Sequence, residues 1–75
     1  MNNERRNKIS KIIKCLRGEV EGLEGVLEDE NDARDNMPES LEGSERYAMS
    51  EECSDVLEDA IDGINEIIDS LEGII

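Results

Sequence analysis

Two series of apolar residues recur at alternating intervals of four and three, one on each side of the chain's only proline, Pro38. The first series is Ile9, Ile13, Leu16, Val20, Leu23 and Leu27. The second is Cys53, Leu57, Ala60, Ile64, Ile67, Leu71 and Ile74. A four-three alternation holds one stripe of a helix against a partner helix, whereas strands alternate every second residue. The chain is therefore expected to be all-α, with both stripes facing each other. Ile12 and Val26 widen the first stripe; Val56, Ile61, Ile68 and Ile75 widen the second.

Pro38 disfavours helical geometry at Met37, which ends the first helix near Asp35 or Asn36. This predicts a helix over residues 4–34 and a turn over 35–43, with one short helical turn at 38–42 broken by Gly43. Ser44 is a ready N-cap for a second helix over 44–73, with Glu45 in its first turn opposing the macrodipole. Each arm is about 45 Å long at about 1.5 Å per residue. Arms of this length with a short connection pack antiparallel, as a single hairpin domain spanning 1–75. The expected register sets Arg34 near Ser44. It also lays Lys8, Lys11, Lys14 and Arg17 along Asp59, Asp62, Glu66, Asp69 and Glu72.

A lone hairpin of this kind leaves Ile12, Val26, Val56, Ile61, Ile68 and Ile75 largely wet. Burying such side chains is worth roughly 1.5–3 kcal/mol each, and 75 residues make a small core that gains from assembly. Two hairpins are therefore expected to dimerise through these six residues into a four-helix bundle.

Charge sets the choice of partner. Of the formal −13, residues 1–17 contribute six bases against Glu4, while residues 18–75 contribute 20 acids against Arg34 and Arg46. The acidic body is repelled by nucleic acid and by anionic membranes, so direct binding to either is not expected. It suits basic protein surfaces. Charged residues reach 39%, a level that raises disorder, but the apolar periodicity argues for a folded chain. The charged N-terminus has no long apolar run behind it, so no secretory leader is expected. No stretch approaches the roughly 18 apolar residues of a membrane span. Cys15 and Cys53 are expected as free thiols in a reducing cytoplasm.

Chemistry finds little to work with. The chain has no histidine, which removes Ser/His/Asp and Cys/His catalysis, and no glycine-rich phosphate loop follows a strand. It reads as a non-enzyme without cofactor or metal. The acidic run Glu28, Asp29, Glu30 and Asp32 lacks the sixth-position glycine of a calcium loop, where Ala33 stands instead. These acids read as solvated surface that a basic partner would contact. Gly18, Gly22 and Gly25 share the face opposite the first stripe. They are either a smooth groove for a partner's backbone or a surface that tolerates glycine. Arg46 and Tyr47, with Arg34 nearby in the hairpin, combine residue types common at binding hot spots. Alternatively, Tyr47 plugs the bundle end with Met37 and Leu41 while Arg46 pairs with Glu39 or Glu42. A nucleotide held by Arg34, Arg46 and Tyr47 is disfavoured by the overall charge.

The segment Asp35-Asn36-Met37-Pro38-Glu39-Ser40-Leu41, followed by Gly43-Ser44-Glu45-Arg46, resembles the turn of a group of small acidic proteins of Firmicutes phages and prophages. The basic N-terminal segment and the acidic Ile/Leu-rich second helix extend the resemblance over nearly the whole chain. It implies a helical hairpin in a phage setting, inside the host bacterial cell, and brings no activity with it. The expected role is a phage accessory protein that binds a host nucleic-acid-binding or defence protein, as an anti-CRISPR-like inhibitor or nucleic-acid mimic. The alternatives are a scaffold or chaperone bundle for another phage protein, and a sponge for a nucleotide immune signal.

Overall fold

A computed structural model describes residues 1–75 as two long antiparallel helices, α1 (Asn3–Asp35) and α2 (Glu45–Glu72), joined through a 3₁₀ turn at Glu39–Leu41. There is no strand. The molecule is a rod of about 60 × 15 × 12 Å between Cα atoms. Asn2 caps α1, its side-chain oxygen accepting from the Arg5 amide at 2.9 Å. Such a cap satisfies one of the amides left free in the first turn. At the other end, the Asn36 amide donates to the Asp32 carbonyl and the Met37 amide to the Arg34 carbonyl, each at 3.1 Å, closing the helix.

Pro38 takes an extended conformation (φ −59°, ψ 146°) and stands immediately before the 3₁₀ turn. Ser44 then works in both directions. Its hydroxyl donates to the Leu41 carbonyl at 2.5 Å and accepts from the Tyr47 amide at 3.2 Å, tying the turn to the start of α2. No residue, glycine included, has a positive φ, so the reversal is achieved without left-handed backbone.

The core is thin. Ile13 and Val20 of α1 meet Ile61 and Ile68 of α2, with Ile9, Leu16, Leu23, Leu27, Ile64 and Leu71 packed partly around them. The α1 seam follows the sequence reading, from Ile9 through Leu27. The α2 seam does not. The residues facing α1 are Ser50, Ser54, Leu57, Ile61, Ile64, Ile68 and Leu71, which keep the four-three alternation on a different stripe. Cys53, Ala60, Ile67 and Ile74, expected in the seam, are exposed. Ile61 and Ile68, expected on an outer dimer face, are 8% and 2% exposed inside the hairpin.

The cause lies in what α1 presents beyond Leu27. Its stripe continues into Glu30, Asn31 and Arg34, all half-buried. A polar group taken from water must find partners, and α2 turns by about 50°, half of a helical residue step, so that Ser50 and Ser54 supply them. The same rotation replaces Ala60 in the seam by the larger Ile61.

The register also differs from expectation. Arg34 reaches Ser50 and Ser54 rather than Ser44. Of the expected basic–acidic ladder, the ion pair that joins the helices is Arg17–Glu72, between half-exposed side chains. Lys8 pairs instead with Glu4 on its own helix at 3.6 Å. Long side chains on a helix lean toward its N-terminus, so Arg34 points away from the turn and extends its reach along α2.

Candidate functional site

Two features stand out from the rod: a polar clamp near the turn, and a sharp difference between its two broad faces.

The clamp is built from four residues. Arg34 Nη1 donates to Ser54 Oγ at 2.7 Å, to the Ser50 carbonyl at 3.1 Å and to Ser50 Oγ at 3.3 Å. Its Nη2 donates to Asn31 Oδ1 at 2.8 Å, and Ser54 Oγ donates to the same oxygen at 2.8 Å. Ser50 and Ser54 are 5% and 4% exposed, and no buried side-chain polar atom is left without a partner. The guanidinium's acceptors are neutral. In the last turn of α1 its charge also complements the helix dipole.

Neither the Arg46 nor the Tyr47 side chain joins this network. Arg46 is exposed and Tyr47 half-buried. Ser50, Ser54 and Asn31 escaped the sequence reading. The signal was there: Ser50 and Ser54 continue the spacing of Leu57, Ile61 and Ile64 backwards, opposite Asn31 and Arg34.

The broad faces differ in their balance of aliphatic and acidic residues, with Glu19 the acid that stands midway between Ile12 and Val26 on the more apolar one. At 100° per residue, the large apolar residues exposed within the helices all project to one side of the seam. They are Ile12 and Val26 on α1, with Met49, Val56 and Ile67 on α2. Because the helices are antiparallel, the two flanks meet on one face of the hairpin. An open groove of about 460 Å³ marks the junction, lined by Val26, Glu30, Glu52, Cys53, Val56 and Leu57. Cys53 is exposed in that groove and Cys15 is exposed on α1.

The opposite face carries Lys14, Arg17, Glu21, Glu24, Glu28 and Asp32 from α1, and Glu51, Asp55, Glu58, Asp62 and Asp69 from α2. The Arg17–Glu72 pair crosses the hairpin there. The acidic run is thus divided: Glu28 and Asp32 lie on the charged face, Asp29 points outward, and Glu30 is half-buried in the apolar groove.

Gly18, Gly22 and Gly25 lie away from the seam, and a Cβ at any of them would meet nothing within 4 Å. Nothing inside the hairpin requires glycine at these positions. No three His, Cys, Asp or Glu side chains come together as a metal-binding group. No helix is long and apolar enough to cross a membrane. Compared with protein-family models, curated proteins and solved structures, the chain gives no match.

Proposed function

We propose that the protein is a small acidic phage accessory protein that acts by binding another protein, assembled as a homodimeric four-helix bundle. Its charged face docks on the basic surface of a host nucleic-acid-binding or defence protein and blocks it, in the manner of a nucleic-acid mimic or an anti-CRISPR-like inhibitor. One observation carries this reading: on the face opposite the aliphatics, acids run along both helices and outnumber the bases among them, Lys14 and Arg17. Charge concentrated on one side of a rod steers encounters with basic partners and disfavours acidic ones.

The test is affinity capture from a bacterial lysate on the immobilised protein. Retained proteins should be released as salt rises and by excess duplex DNA, because screening and competing phosphates act on the same contact. Retention indifferent to both would overturn the acidic-face reading. It would favour a scaffold or chaperone role, which the apolar groove at Val26, Cys53 and Val56 supports. A nucleotide sponge has less support, because Arg34 is committed to Ser50, Ser54 and Asn31.

A further inference from the structure

We infer that α2 has two rotational settings against α1, and that the Arg34 clamp is the latch holding it in one of them. Such a device works within a single hairpin, whatever partner the hairpin meets.

The second setting is present in the residues of α2. Leu57, Ile64 and Leu71 share the observed seam with Ser50, Ser54, Ile61 and Ile68. The same three residues also complete a series with Cys53, Ala60, Ile67 and Ile74, all four of which are exposed. The two stripes are offset by about 50°, half of a helical residue step. A turn of that size keeps a four-three seam against α1 and exchanges the residues that fill it.

The aliphatic half of the seam does little to forbid the turn. Ile61 and Ile68 would give way to Ala60 and Ile67, and the lost bulk makes the observed setting the favoured one. None of the four core aliphatics is completely sealed, their exposures running from 2% to 8%. An apolar seam of this kind loses uniqueness before it loses stability. Discrimination falls to the clamp. Arg34 Nη1 is bonded to Ser54 Oγ and to the Ser50 carbonyl, and turning α2 swings both serines toward the charged side. Cys53 then faces Arg34, and its sulfur is a weak acceptor.

The setting of α2 decides what both broad faces carry. With the latch closed, Glu51, Asp55, Glu58 and Asp62 stand beside the acids of α1, and Cys53 and Ile67 lie on the apolar face. With it open, those acids turn outward, Cys53 and Ile67 enter the seam, and Ile61 and Ile68 emerge. Anything that grips either face as it now stands therefore closes the latch further, because it binds one setting better than the other.

Cys53 is the natural reporter, exposed in the observed setting and buried in the other. With Cys15→Ser leaving one thiol, Cys53 should react with a maleimide at close to its rate in the denatured chain. Arg34→Ala opens the latch and should slow that reaction about tenfold or more, with helicity retained. Adding Ala60→Glu should restore the fast rate, since Ala60 is exposed now but a charge there would be costly inside the second seam. Rates are compared over a wide range of protein concentration, because cover by a second copy depends on concentration and a turn of α2 does not. An unchanged rate in folded Arg34→Ala, or protection that survives Ala60→Glu, overturns the second setting. So does a slow rate at every concentration with the clamp intact. Should Arg34→Ala lose its helicity, Ser54→Ala decides: it removes one clamp partner and should slow the reaction about twofold or more, and no slowing overturns the inference.

Discussion

The two halves of the hairpin seam solve different problems. Far from the turn, Ile13, Val20, Ile61 and Ile68 meet as aliphatics. Near the turn, Arg34, Asn31, Ser50 and Ser54 meet as hydrogen-bonding groups. Aliphatic contact is strong but undirected: a seam repeating every seven residues looks much the same after a slip of one repeat. The clamp is the opposite, since its bonds form only where donor and acceptor coincide. One half supplies most of the stability and the other sets which residues lie opposite which.

The sharpest way to break this comparison is at Ile68, the most buried of the four core aliphatics. Ile68→Ala should cost about 2–5 kcal/mol, enough to unfold much of so small a protein, measured as the loss of helical circular dichroism in denaturant titrations. A cost below about 1 kcal/mol would show that the aliphatic half is not the main source of stability.

Arg34→Ala comes next, at about 1–3 kcal/mol, because the buried serine hydroxyls lose their donor. Replacing Arg34, Ser50 and Ser54 together by Leu, Ala and Ala sharpens the point. Apolar groups in place of all the partners can be neutral or stabilising, so stability should return. Uniqueness should not, and amide resonances near the turn should broaden as the register slips. Narrow, single resonances in this triple variant would remove the register role of the clamp.

The smallest effect belongs to Arg17→Ala. Its side chain and that of Glu72 are 57% and 44% exposed, and exposed ion pairs contribute about 0–1 kcal/mol. The melting curve should barely move, and a large shift would place register control at the wrong end of the rod.

The first helix was legible because its stripe has one reading. Apolar residues run from Ile9 to Leu27 and the next positions are plainly Glu30 and Arg34. The second helix was ambiguous because it is apolar over a wide arc. Leu57, Ile64 and Leu71 belong to two overlapping four-three series, one through Ala60 and Ile67, the other through Ile61 and Ile68. The residues that break the tie, Ser50 and Ser54, look like ordinary solvent-facing positions at the start of a helix. Their meaning appears only with Arg34 opposite, which is tertiary information. The division into an apolar and an acidic face was hidden for the same reason, since it depends on which series turns inward.

The open space around Gly18, Gly22 and Gly25 has a mechanical consequence. A 33-residue helix behaves as a slender beam, and these three positions lack the side chains that restrain backbone torsion. They lie near its middle, on or near the side turned away from α2. Bending compliance is therefore concentrated at mid-length in one member of the pair. Pressed against a curved surface, the rod would flex there first, with its capped ends and its clamp left undistorted.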